Sequence, residues 1–153
     1  MLDGMKVQRS LLLIAVLVLA SANLSAHCQV PCGIYADDVV FGELMTDVKT
    51  IHKAMVQINE LSGDHGANHH QLVRWVTNKE SHAQNIQNTM SAYFLAQRIK
   101  LAMKESDPEG YAELVGLAHK ITVLAMKCKQ GTEVANADAL HDALHAFQKA
   151  YGG

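Results

Sequence analysis

The sequence predicts an all-α protein, an antiparallel four-helix bundle preceded by an irregular N-terminal segment. Apolar residues recur every three or four positions in four separate stretches, and no stretch alternates with the period of a β-strand. The 153 residues include only two prolines, which argues against a turn-dense β protein. Four amphipathic helices with short connections fold most simply as an antiparallel bundle.

The first 26 residues differ in composition from the rest of the chain. Lys6 and Arg9 precede an unbroken apolar run of ten residues, 11–20, and small and polar residues follow as far as Ala26. This is the layout of a secretory signal peptide. The apolar run is too short for a membrane span, which needs about 20 apolar residues. An uncleaved anchor is the alternative. We therefore expect removal of residues 1–26, a periplasmic or secreted protein, and no membrane attachment after cleavage.

Local signals leave two cleavage sites open. The A-x-A pattern that ends at Ala22 would make Asn23 the first residue of the mature chain. A cut after Ala26 would make His27 the first residue, although Leu24 then occupies a position where a small residue is usual.

The first two helices are predicted from their caps and apolar stripes. Asp37 or Asp38 can cap a helix that ends near Leu61. The next helix is predicted over about 68–104, and its length favours a break near 96–103. The apolar stripes of these two helices consist of Val40, Leu44, Val48, Ile51, Met55 and Ile58, then Leu72, Val76, Ala83, Ile86, Met90 and Tyr93.

The last two helices have clearer boundaries. The residues 106–109 contain a capping residue followed by a proline, which predicts the start of a third helix. Gly131 is predicted to end this helix. Thr132 can cap the final helix, which closes at Gly152. The two apolar stripes consist of Tyr111, Leu114, Ala118, Ile121, Ala125 and Cys128, then Ala137, Leu140, Leu144, Phe147 and Tyr151.

Residues 27–36, which we call the hook, combine donor atoms that can bind a metal ion. If His27 is the first residue, its α-amine is free. This amine, the amide nitrogen of Cys28 and the Cys28 thiolate can then bind one metal ion as a chelate. Cys32 can supply a second thiolate. The donor set is then two nitrogens and two sulfurs in a plane, with the His27 imidazole able to approach from the axial direction.

This geometry favours nickel. Square-planar coordination suits Ni(II) or Cu(II), whereas zinc with two nitrogens and two sulfurs is tetrahedral. Two thiolates promote reduction of Cu(II), and an axial nitrogen favours the higher-valent ion, so a Ni(II)/Ni(III) couple is chemically accessible. Two alternatives remain open: a disulfide between Cys28 and Cys32 in a structural bundle, and a non-catalytic secreted protein that binds copper or nickel with the same residues.

The run HCQVPCGIY at 27–35 closely resembles the signature H-C-x-x-P-C-G-x-Y of the nickel superoxide dismutases. The resemblance implies cleavage before His27 by a leader-removing protease, one nickel ion per subunit and a homohexamer. It also implies disproportionation of superoxide into oxygen and hydrogen peroxide. Some family members have a cytoplasmic leader removed by a dedicated protease, so a cytoplasmic location is the alternative to export.

The resemblance also implies roles for individual residues. His27 supplies the amine and the axial imidazole, Cys28 supplies amide and thiolate, and Cys32 supplies thiolate. Pro31 matches a proline whose cis bond helps to turn the hook. Tyr35 matches the tyrosine that lines the access route and orders small molecules near the metal.

Two residues of the helical region match positions that support the axial ligand in the family. Glu43 matches the carboxylate that holds the axial imidazole. His82 stands where the best-known members have an arginine that pairs with this carboxylate, which is a departure from the family pattern. A histidine could still hydrogen-bond Glu43, but its charge would depend on pH.

Composition excludes some partners. The formal net charge of −2 gives no basic footprint for nucleic acid, and it does not help to attract a small anion. Any attraction of superoxide must be local, and the candidate cations are Lys49, Lys53, Arg74 and Lys79. Cys128 lies on an apolar stripe and is expected to be a small buried residue, whereas His141 and His145 are expected at the solvated edge of the bundle.

Overall fold

The computed structural model describes residues 37–63 and 68–152, and within these ranges every regular element is helical. The predicted leader and the hook lie outside the described residues. Helix α1 is followed by α2, whose end continues directly into a π-helix, and then by α3, α4 and α5. Their bounds are Asp37–Leu61 (α1), His69–Thr89 (α2), Met90–Arg98 (the π-helix), Met103–Ser106 (α3), Pro108–Gln130 (α4) and Val134–Gly152 (α5). The predicted all-α class is confirmed.

Among the described residues, the four long helices form a closed ring in which α1 and α4 each pack against both α2 and α5. Hydrogen bonds between neighbours show that they are antiparallel. Asp37 at the start of α1 contacts Tyr151 at the end of α5, whereas Asn59 near the end of α1 donates to the Thr132 carbonyl just before α5. The bundle predicted from the four stripes is therefore present.

Most positions of the predicted stripes lie in the core, and the start of the α2 stripe is the exception. The core also contains Phe41, Phe94 and Leu124, which the predicted stripes left out. The six apolar positions of the α1 stripe are all buried, as are Ala83, Ile86 and Met90 on the second stripe. Val76 is exposed and Leu72 is only half-buried, so their assignment to the core is wrong.

The reason for this exception is the length of α4. Lys79 on α2 contacts the carbonyls of Cys128 and Lys129 in the last turn of α4, so the part of α2 before Lys79 extends past the end of α4. Val73, in that part, is 63% exposed.

The predicted break in the second helix is confirmed at its C-terminal end. The π-helix closes with a hydrogen bond from the Ile99 N–H to the Phe94 carbonyl, and Ile99 itself has an extended backbone. The helix start predicted at 106–109 is also confirmed. The Asp107 side chain accepts a hydrogen bond of 3.0 Å from the Gly110 N–H, and Pro108 occupies the first turn of α4.

Lys79 has a structural role that its sequence position did not reveal. Its ammonium group is buried and donates to the Cys128 carbonyl at 2.5 Å, to the Lys129 carbonyl at 2.6 Å and to Glu80 at 3.1 Å. The last carbonyls of a helix have no partner within the helix, and a cation is favourable there. Lys79 is thus engaged in capping α4, and its selection as a surface cation that attracts superoxide is wrong.

Within the described residues, no helix combines the length and the apolar composition that crossing a membrane requires.

Candidate metal centre and its surroundings

The predicted nickel ligands and the predicted supporting residues fall in different parts of the chain. His27, Cys28 and Cys32 lie outside the described residues, together with Pro31 and Tyr35. Of the predicted site residues, the structure places Glu43 on α1 and His82 on α2.

Glu43 lies on an open groove between α1 and α2 with a volume of about 540 Å³. Its side chain is exposed, and within the described residues it has no hydrogen-bond or ion-pair partner. Side chains from both helices line the groove: Val39, Gly42, Glu43, Leu44, Thr46 and Asp47 from α1, with Asn85, Asn88 and Thr89 from α2. The Glu43 carboxylate is therefore available to a further donor.

His82 pairs with Asp47. Its Nδ1 lies 2.5 Å from Asp47 Oδ1, and both side chains are partly buried. Asp47 is four residues after Glu43 and hence on the same face of α1. The antiparallel register of α1 and α2 places His82 opposite the later of the two carboxylates, so the partner of His82 in the structure differs from the one considered from sequence.

Asp47 is a residue that the sequence interpretation missed. Burial raises the pKa of the Asp47 carboxyl, while the hydrogen bond and the charge of His82 act in the opposite direction. The signal that could have found it is its spacing of four from Glu43, which predicts two carboxylates on one helix face.

A second missed feature lies at the first residue of α1. Asp37 Oδ1 accepts hydrogen bonds from the Tyr93 hydroxyl and from two nitrogens of Arg98, of which Nε lies at 2.9 Å. Asp37 Oδ2 accepts a hydrogen bond of 2.9 Å from the Tyr151 hydroxyl. We call these four residues the Asp37 network. The sequence alone identifies Asp37 only as a possible helix cap.

The Asp37 network shifts the pKa values of its members. Burial alone would raise the pKa of the Asp37 carboxyl, but the hydrogen bonds from Tyr93, Arg98 and Tyr151 prevail, and the pKa falls below its ordinary value of 3.8. Burial and the hydrogen bond to Asp37 raise the pKa of Tyr93 to about 12. The phenol therefore keeps its proton and acts as a donor at neutral pH.

The Asp37 network is expected to make stability dependent on pH in the acid range. Because the pKa of Asp37 is lowered in the folded state, its contribution is present above the unfolded-state pKa and is lost as pH falls through the folded-state pKa. Chemical denaturation of the metal-free chain and of Asp37→Asn measures this. The difference between their unfolding free energies should shrink as the pH falls below about 4. A constant difference over that range contradicts the assignment.

Cys128, the one cysteine among the described residues, is buried, and burial raises the pKa of its thiol to about 11. Since the thiolate is the reactive form, Cys128 should resist both thiol reagents and peroxide. In the variant Cys28→Ser/Cys32→Ser, which keeps only this thiol, labelling should be at least about a hundredfold slower in the native state than in denaturant. Equal labelling rates contradict the prediction.

The described residues hold no metal-binding cluster of their own. Across 37–63 and 68–152, no group of three or more His, Cys, Asp or Glu side chains could hold a metal ion. The hook carries donor types that suit nickel: with His27 as the first residue it would offer an amine, a backbone amide and two thiolates, and an imidazole besides.

Comparison with known proteins gives one match. The family model described as nickel-containing superoxide dismutase matches residues 22–153, a range that includes the hook and every helix of the described residues. No match was found among curated proteins or among solved structures.

Proposed function

Because this chain belongs to the nickel-containing superoxide dismutase family, we propose that its nickel ion is held by His27, Cys28 and Cys32. The protein is an enzyme that converts two superoxide anions and two protons into oxygen and hydrogen peroxide, and its cofactor is nickel. When bound, nickel supplies a Ni(II)/Ni(III) couple that takes an electron from one superoxide and gives one to the next.

The donor atoms of the hook support this assignment. The α-amine of His27, the Cys28 amide and the thiolates of Cys28 and Cys32 would together hold the ion with two nitrogens and two sulfurs, donors that suit nickel. The His27 imidazole would supply a further nitrogen. The observation that carries the proposal is that this run begins where a leader should end and lies inside the matched range.

Glu43 is proposed to orient the His27 imidazole. Its carboxylate is exposed and has no partner in the described part of the chain, so it can accept a hydrogen bond from the second ring nitrogen of His27. His82 Nδ1 pairs with Asp47, the other carboxylate on this face of α1. His82 thus acts on Glu43 only indirectly, through Asp47.

Pro31 and Tyr35 complete the proposed site. Pro31 turns the chain between the two cysteines, where a cis bond costs little. Tyr35 lines the route to the metal and donates a hydrogen bond that orders small molecules there.

Processing, assembly and location are further parts of the proposal. A protease removes residues 1–26, and the mature chain acts in the periplasm or outside the cell, as the composition of the leader supports. A homohexamer is the assembly that the family resemblance implies, and exposed apolar side chains such as Val73 (63% exposed) and Leu101 (79% exposed) are available for contacts between subunits.

The assignment is tested on the purified mature protein. Mass spectrometry should find His27 at the amino terminus, and metal analysis should find one nickel ion per chain. The variant Cys32→Ser should lose both nickel and superoxide turnover. The matched control Cys128→Ala, which removes the buried thiol, should keep both. Full nickel content and activity in Cys32→Ser would overturn the ligand assignment.

A further inference from the structure

The Asp37 network joins three chain segments that would otherwise end separately. Asp37 is the first residue of α1, Arg98 is the last residue of the π-helix, and Tyr151 is the penultimate residue of α5. Helix ends usually fray, because their last backbone groups lack partners within the helix. Here one carboxylate accepts hydrogen bonds from the other two segments and holds all three ends together.

The network rests on a cluster of packed aromatic rings. The buried ring of Phe94 lies 5.1 Å from Tyr93, 5.5 Å from Tyr151 and 4.9 Å from Phe147, measured between ring centroids. The guanidinium carbon of Arg98 lies 5.3 Å from the Tyr93 ring centroid, which adds a cation–π contact. The donors to Asp37 are therefore held in place by packing as well as by hydrogen bonds.

Electrostatics make this attachment specific for a carboxylate. Asp37 is ion-paired with Arg98, and the two phenols donate to it without adding charge. Charge-assisted hydrogen bonds of this kind are stronger than neutral ones. An amide at position 37 would keep one acceptor oxygen but would leave Arg98 without its counter-charge.

Asp37 is close in sequence to the proposed nickel ligands. Cys32 is five residues before it. A fully extended chain covers at most about 3.3–3.6 Å per residue, so the Cys32 thiolate must lie within about 18 Å of the fixed residue, plus the reach of its side chain. A firm position for Asp37 therefore reduces the conformations that the peptide leading to Cys32 can sample.

We infer that Asp37 is a positioning residue for nickel: held by Tyr93, Arg98 and Tyr151, it fixes the residue to which the metal-binding hook is attached. This inference rests on the proposed function of His27, Cys28 and Cys32. Without the anchor, the Cys32 thiolate dissociates from nickel more often, because the chain behind it gains freedom to move. Asp37 itself takes no part in electron or proton transfer.

The test compares nickel release from variants of the mature enzyme loaded with nickel. Excess EDTA captures the released metal, and loss of the thiolate-to-nickel absorption bands follows the reaction. Asp37→Asn should release nickel about tenfold faster than the parent enzyme, and the electron paramagnetic resonance signal of its oxidised form should broaden. Tyr151→Phe, which removes one donor and no charge, should show a smaller increase in the same direction.

Two controls separate positioning from other effects. Asp38→Asn makes the same change of charge at the neighbouring, exposed residue of α1, and Leu140→Ala weakens the core without touching the network. Both should release nickel at the parental rate.

The outcomes are distinguishable. If Asp37→Asn and Asp38→Asn release nickel at the same rate, this inference is rejected and the proposed ligands stand. If Asp37→Asn does not fold, an unchanged rate in Tyr151→Phe rejects it. If the parent chain that begins at His27 binds no nickel, the proposed function fails and this inference fails with it.

Discussion

A mature chain with one additional residue in front of His27 is expected to lose stoichiometric nickel and to fall in superoxide dismutase activity by at least about a hundredfold. The added residue converts the α-amine of His27 into an amide and so removes one of the four donors proposed to hold nickel together with the His27 imidazole. Loss of a residue that only hydrogen-bonds to a metal ligand already lowers metal affinity or activity by about 10–100-fold, so loss of a ligand should lower them further. Metal analysis and superoxide consumption measure the two effects.

The matched control carries the additional residue after Gly153 and keeps the amine free. It should retain nickel and activity. The variant His27→Ala keeps the amine but not the imidazole, and it should bind nickel with reduced turnover. Undiminished nickel content and turnover in the N-terminally extended chain would show that the terminal nitrogen is not a ligand.

The variant Phe94→Ala is expected to lower the free energy of unfolding by about 3–5 kcal/mol. Phe94 is fully buried in the π-helix, and its ring contacts those of Phe41, Phe147 and Tyr151. Truncation leaves a cavity among rings that the ends of α1 and α5 hold in place. Denaturant titration of the metal-free protein measures the change.

The matched control for this prediction is the next residue. Leu95 lies in the same π-helix but is 40% exposed, so Leu95→Ala should cost less than about 1 kcal/mol. Similar losses in the two variants would contradict the assignment of Phe94 to the centre of the core.

The helices could be predicted from the sequence because each buries one stripe of its own surface. Helical periodicity reports which face of a helix is apolar, but not whether a neighbour is long enough to cover it. Val76 shows the difference: it continues the stripe of α2, yet it lies beyond the end of α4 and is exposed. Lys79 shows the converse, since a charged residue is buried where carbonyls of another helix need a cation.

A ligand set could be proposed from the sequence because its members are close together in the chain, whereas the contacts of Glu43 and His82 depend on helix register. His27, Cys28 and Cys32 lie within six residues, so the donor set that they would form together can be inferred without knowledge of the fold. The pairing of His82 with Asp47 depends on the antiparallel alignment of α1 and α2. The Asp37 network joins residues up to 114 positions apart, and sequence periodicity does not predict contacts over such a separation.

The hydrogen bond between Asp37 and Tyr151 also means that the helical bundle can be separated experimentally from the metal-binding chemistry proposed for the hook. The first and the last helix meet at one place, so a short linker between their ends could close the bundle into a circle. The chain could then be reopened at 64–67, between α1 and α2, with every described helix intact. Such a circular permutant would keep the helical bundle. Its amino terminus, however, would lie between α1 and α2 and no longer precede Asp37.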